Sequence, residues 1–215
     1  MTEQDVRHPI AARLFTRIAA KAEARGQDEH RRRLLAGLTG RVVEVGCGHG
    51  LNFRHYPSTV DQVIAVEPEP YLRRRAAQSA AQASLPITVV DGLGQALPID
   101  DASVDAAVAC LVLCEVPDQT ETLSEISRVL KPGGELRFYE HVRADDPSLA
   151  RIQRIADRTL WPRVSGGCHA SRDTLAAIRR AGLDVEQHER FRFQPAPAMR
   201  LTAPRILGVA RAPRG

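Results

Sequence analysis

Lysine is nearly absent from this chain of 215 residues: only Lys21 and Lys131 stand against 28 arginines, with a net charge of +4. Aromatic residues make up 4% of the sequence, which leaves no stacking platform for nucleobases. The arginine runs at 31–33 and 73–75 read as solvated helix faces rather than a nucleic-acid footprint, so a nucleic-acid partner is not expected. No apolar run is long enough to span a bilayer. The first twenty residues lack both an unbroken apolar core and a small-residue cleavage site, and the expectation is a cytoplasmic protein. The four cysteines, at 47, 110, 114 and 168, contain no C-x-x-C pair, and a chain of this length needs no disulfide staples. Reduced thiols in the core or in a pocket are expected.

What is present is an alternating pattern. Between Pro9 and Leu38 the apolar residues Ile10, Leu14, Ile18 and Ala22, then Leu34, Leu35 and Leu38, recur at helical spacing, interrupted near "RGQDEH". Short segments rich in β-branched residues follow at "RVVEVG" (41–46), "QVIAVE" (62–67), "PITVV" (86–90), "VDAAVACLVL" (104–113) and "GELRFYEHV" (134–142). Helical patterns sit between several of them, and the one at "TETLSEISRVL" is expected to stop at "KPGG". Alternating strands and helices predict an α/β fold, a mainly parallel sheet flanked by helices, with ligands at the carboxyl ends of its strands. Further along, a helix with Leu149, Ile152 and Ile155 on one face, a helix capped at Ser171, and two last strands at "LDVEQHERF" and "PRILGVARA" would complete a seven-stranded sheet.

Gly46, Gly48 and Gly50 lie where the first of these strands ends. Glycine admits positive φ and lets a ligand approach without a Cβ in the way, so the loop reads as a ligand cradle or an ordinary turn. A dinucleotide fingerprint needs glycine at position 51, where Leu51 stands, and a phosphate-binding P-loop needs a lysine and hydroxyl that are missing. The next strand ends at Glu67, whose carboxylate could accept both hydroxyls of a ribose. Cys47 and His49 alternate with the glycines, and one cysteine with one histidine cannot supply a closed zinc site. No metal is expected; Cys47 reads as a small buried residue, and His49 as facing a cofactor or substrate mouth.

"EVGCGHG", the acid in "AVEPE", "DGLGQALPIDDASVD" and "RVLKPGGEL", in that order, resemble the class I S-adenosylmethionine-dependent methyltransferases, closely over residues 40–142. "CLVLCEVPD", "FYEHV" and "GGCHASRDTLAAIRRAGL" look most like the methyltransferase-like proteins that act on alkyl thiols, and more distantly like quinone and phospholipid methyltransferases. The animal thiol enzymes carry an amino-terminal membrane anchor, a segment not read here. The resemblance implies a Rossmann-like class I fold with a helical cap over 1–39 and a cofactor-binding domain over 40–215, bearing a lid insertion around 143–170. It implies S-adenosyl-L-methionine as cofactor. Glu44 and the backbone of Gly46, Cys47, Gly48 and Gly50 would line its methionine end, with Asn52 and Phe53 as a further wall. Glu67 would bind the ribose. Asp91, Gly92, Leu93 and Pro68 would lie at the adenine, and Cys110 and Leu111 would form the floor near the sulfonium.

The implied reaction is methyl transfer to a small molecule, with thiol, hydroxyl, amine and activated carbon all open as acceptors; an adenosylmethionine-binding regulatory or RNA-binding module is the non-enzymatic alternative. In-line displacement asks a protein mainly for alignment in a partly dry cavity. Candidate bases are His141, beside Glu140 at the end of the fifth strand, and His169 in the "SGGCHAS" loop. Their alternatives are Glu140 and His141 binding backbone or each other, and His169 serving as a loop or cap residue. His8, Phe15, His49 and Trp161 are candidates for the substrate mouth, Phe15 with the alternative of a core residue.

Overall fold

The computed structural model describes residues 9–214. Helices α1 (Pro9–Ala22) and α2 (Asp28–Leu35) run together through a kink where Arg25 and Gly26 leave helical geometry. Then come seven strands: β1 (Gly40–Val45), β2 (Val60–Val66), β3 (Ile87–Val90), β4 (Val104–Cys110), β5 (Leu130–His141), β6 (Asp184–Arg192) and β7 (Pro204–Arg211). They form one sheet in the order β3-β2-β1-β4-β5-β7-β6, with β1 to β5 parallel and β7 antiparallel to both of its neighbours. The order reverses between β1 and β4, which opens a crevice at their carboxyl ends where α/β sheets hold ligands.

Period-two alternation assigns the two faces of the sheet. Val43 and Val45 of β1, Ile64 and Val66 of β2, and Ala107 and Ala109 of β4 pack into one core with Leu123, Ile126 and Ile178. Val42, Val63, Ala65, Ala106 and Val108 point the other way and meet Leu34, Leu35 and Leu38 at the end of the amino-terminal helices. Helix α4 (Gln119–Val129) begins where the Asp118 side chain accepts from the Thr120 and Glu121 amides, and it buries Leu123 and Ile126 completely. Removing such a side chain, as in Leu123→Ala, costs about 2–5 kcal/mol.

Helix α3 (Pro70–Ala80) is capped by Glu69, and α5 (Pro147–Asp157) by Asp146. The short α6 (Trp161–Val164) follows, then α7 (Thr174–Arg180). The cap of α7 is Asp173, not Ser171, because the Ser171 hydroxyl is bonded to Asp157 at 2.6 Å. On α5 only Leu149 of the expected face is buried; Ile152 and Ile155 are exposed with Leu160 and Val164 beyond them.

Two boundaries differ from the pattern reading. The fourth strand stops at Cys110 rather than at residue 113, because Leu111 adopts φ +59, which a β-strand cannot contain. Helix α4 ends at Val129 and β5 starts at once, so "KPGG" lies inside the strand, where the register to β4 shifts between Val104 and Ala106. Lys131 there pairs with Asp105 at 2.6 Å, whose other oxygen accepts from the Arg41 amide.

Candidate functional site

The loop after β1 carries positive φ at Gly46 (+65), Gly48 (+59) and Gly50 (+83). A side chain at Gly46 would overlap the Cγ2 of Val112 in the loop after β4, so the two loops flanking the crevice approach as closely as glycine permits. The Gly48 amide donates to Oε2 of Glu67 at 2.8 Å, and the Glu69 amide donates to Oε1 at 2.9 Å. A carboxylate has about four acceptor sites, so two remain for a vicinal diol. Burial pushes the Glu67 carboxyl up to about 7, opposed by those two amides.

Beneath the loop lies a buried polar network. Oε1 of Glu44 accepts from Nδ2 of Asn52 at 2.9 Å, and Oε2 accepts from the Tyr56 hydroxyl at 2.8 Å. Arg31 enters from α2, donating through one nitrogen to Oδ1 of Asn52 at 2.9 Å and to Sγ of Cys110 at 3.0 Å, while its Nε pairs with Glu23 at 2.9 Å. Burial raises the Glu44 carboxyl to about 7, and the hydrogen bonds from Tyr56 and Asn52 with the charge of Arg31 pull against it. Only the end of the first arginine run is a solvated face: Arg31 is 7% exposed, whereas Arg32 and Arg33 lie on the surface, paired with Asp28, Glu29 and Glu189. Arg31 and Tyr56 are absent from the sequence candidates; the break near "RGQDEH" is visible in the sequence, but not which arginine of 31–33 turns inward after it.

The loop after β4 is built around a third acid. Glu140, fully buried near the end of β5, accepts from the backbone amides of Val112, Leu113 and Cys114 at 3.0, 2.9 and 3.1 Å. The Leu111 amide donates to the Tyr139 carbonyl at 2.7 Å. These bonds hold Leu111 in its left-handed conformation beside Cys110, a strained geometry of the kind found at functional sites. Glu140 thus binds backbone, one of its two sequence readings. Glu115, half-buried on the same loop, is another missed acid: burial, then Cys168, Glu140 and Glu67, push its carboxyl well above the ordinary range.

Other candidates fall as follows. Phe53 is a core residue packed against Gly50, with Cys47 in the same cluster. Pro68, Gly92 and Leu93 are half-buried near the edge of the crevice, and Asp91 is exposed and paired with Arg73 at 3.0 Å. Burial, Arg31 and Arg75 lower the His49 imidazole to about 4. Trp161 is half-buried on α6, and its Nε1 has no hydrogen-bond partner among the described residues. His8 lies outside the described residues; Phe15 falls on α1, and its side chain is outside them too.

The two histidines separate. His141 is buried, with Nδ1 3.4 Å from Sγ of Cys114 and 3.5 Å from Sγ of Cys168, and burial followed by the charge of Arg205 holds it neutral. Among the described residues its Nε2 has no hydrogen-bond partner, and Nδ1 engages the two sulfurs. His169 is half-buried in the loop before α7, with Nδ1 3.4 Å from a guanidinium nitrogen of Arg172. A separate cleft of about 360 Å³ between Arg143, Arg172 and Arg190 opens on the β5–β6 side, with Arg143 and Arg190 already paired to Asp173 and Asp145.

A methyltransferase-domain family model matches residues 43–138. The mouse thiol S-methyltransferase TMT1B is 34% identical over 185 residues, covering 82% of this chain and 73% of that protein. Human thiol S-methyltransferase TMT1A is 33% identical over 181 residues, covering 81% and 72%. Among solved structures the cyclase SpnF superposes with a TM-score of 0.70 at 22% identity, over 87% of this chain and 81% of that one, a likeness of fold alone.

Proposed function

Because the chain belongs to the class I S-adenosylmethionine-dependent methyltransferases, close to the thiol S-methyltransferases, we propose that the small-molecule acceptor it methylates is an apolar thiol. The observation that carries this reading is the identity to thiol S-methyltransferases over four-fifths of the chain.

The crevice fits the cofactor, since its loop backbone holds positive φ at Gly46, Gly48 and Gly50 and the buried acid beside it has two unused acceptor sites. Glu67 takes the ribose hydroxyls, the backbone of Gly46, Gly48 and Gly50 lines the methionine end, and Pro68, Asp91, Gly92 and Leu93 stand at the adenine. The guanidinium of Arg31, fixed by Glu23 and Asn52, would pair with the methionine carboxylate. Bound adenosylmethionine supplies an electrophilic methyl group. Cys110 and Leu111 form the floor beneath it, and Glu140 fixes that floor through three amides.

A thiol with pKa about 8.5 is already a few per cent ionised near pH 7, so the protein needs to align it more than to deprotonate it. His169 assists by taking the proton, and Trp161 contributes apolar surface at the mouth. The test is methyl transfer to matched acceptors carrying a thiol, hydroxyl, phenol or amine at the same carbon, followed by mass spectrometry across pH. A thiol preference with a rate rising toward the thiol pKa is expected, and His169→Ala should cost less than the 10²–10⁴-fold loss typical of an essential base. Preference for the phenol or hydroxyl, with a loss above about a hundredfold in His169→Ala, replaces the thiol with base-assisted oxygen methylation.

A further inference from the structure

The reaction described above makes no use of Cys114, His141 and Cys168. They come from three separate segments: the loop after β4, the last residue of β5, and the loop between α6 and α7. Their exposures are 0%, 8% and 3%, and their donor atoms all lie within 4.8 Å of one another. We propose that these three side chains form a binding site for a thiophilic divalent ion, zinc, which ties the segment after β5 to the carboxyl edge of the sheet.

Geometry comes first. Zinc–sulfur bonds of about 2.3 Å and zinc–nitrogen bonds of about 2.0 Å at tetrahedral angles set N···S edges of about 3.5 Å. The observed edges from Nδ1 are 3.4 and 3.5 Å. Hydrogen bonding alone accounts for the trio poorly, because one Nδ1 carries either one lone pair or one proton and faces two sulfurs at nearly equal distance.

Zinc binding to two thiols and a neutral imidazole releases two protons and leaves two thiolates around a dication, a site of zero net charge that burial tolerates. Two cysteines and one histidine leave one coordination position for a water.

The segments that carry the site are docked by hydrogen bonds of their own. The His169 amide donates to the Cys114 carbonyl at 2.8 Å, and Arg172 donates to the carbonyls of Leu113 and Val116, so the loop bearing Cys168 is already docked. Zinc adds a link between segments that these bonds have aligned, and it should raise the melting temperature by mass action. The exclusion of a zinc site from Cys47 and His49 does not bear on this cluster, whose members lie far apart in sequence.

The test uses the full chain expressed with zinc in the medium and purified under reducing conditions. Metal analysis should find zinc equimolar with protein, and X-ray absorption should show two sulfur ligands at about 2.3 Å and one imidazole at about 2.0 Å. Cobalt-grown protein should show sulfur-to-cobalt charge transfer. Cys114→Ser and Cys168→Ser should each weaken metal binding by more than about a hundredfold, beyond the loss expected for an outer-shell partner, while Cys47→Ser should retain it. Three results overturn the proposal: substoichiometric zinc in the unmodified protein, a ligand set without two sulfurs, or a Cys114–Cys168 disulfide. The first two readouts need no variant, so a failure of Cys114→Ser to fold does not blunt the test.

Discussion

The amide of Gly48 and Oε2 of Glu67, 2.8 Å apart, join the loop after β1 to the end of β2 across the mouth of the crevice. The contact requires the loop backbone to reach the acid at φ +59, which a branched residue adopts only under strain. Gly48→Val should therefore lower adenosylmethionine affinity by more than about tenfold, since it disturbs the loop and the acid together. Titration calorimetry on variant protein with an unchanged circular dichroism spectrum checks this, and unchanged affinity refutes the placement.

Glu67 gives the binding a pH dependence. Its carboxyl, pushed up to about 7 by burial, is partly protonated in neutral solution, and the ribose hydroxyls favour its ionised form. Affinity should fall by up to about tenfold for each pH unit below 7 and level off above it. Glu67→Gln should bind about tenfold more weakly at pH 8 and show a shallower slope, with the remainder assigned to Glu44, raised to a similar value. An identical pH profile in Glu67→Gln would remove Glu67 from the ribose.

Arg31 is tested by changing the ligand as well as the residue. Decarboxylated adenosylmethionine should bind the unmodified protein about tenfold more weakly than adenosylmethionine, the size of one charge-assisted hydrogen bond. Arg31→Met keeps the buried stem and should bring the two affinities together. Discrimination that survives in Arg31→Met assigns the carboxylate to other groups.

Glu140 should matter to stability first. Glu140→Ala leaves three buried amides without an acceptor and should destabilise the fold by about 3 kcal/mol or more. In Glu140→Gln the amide oxygen can still serve Val112 and Leu113, while its NH₂ opposes the Cys114 amide, so an intermediate loss is expected. Urea denaturation midpoints give the order, and equal midpoints for both variants and the unmodified chain contradict it.

The parts of the site that were legible in the sequence are those fixed by local rules. Gly46, Gly48 and Gly50 mark positive φ wherever they stand, and Glu67 is placed by the end of a strand whose pattern is plain. Arg31 is hidden in the sequence because the break near "RGQDEH" does not say which face of the following helix meets the sheet, and an arginine run looks solvated by default. The end of β4 was read too far because "CLVLC" is apolar throughout, and only the carboxylate of Glu140, donated by another strand, pulls residues 112–114 out of the ladder.

By itself, the sequence determined the alternation of strands and helices, the glycine loop, the acid that follows it and the kinship that names the cofactor, because each depends on short-range periodicity or on a motif of adjacent residues. Tertiary structure alone decided which distant side chains meet. Arg31 with Asn52, Glu140 with the loop after β4, and Cys114 and Cys168 with His141 are separated by 21 to 28 residues in ways that no local rule couples. They come together because a parallel sheet delivers the ends of all its central strands to one edge, where burial leaves polar groups only each other as partners.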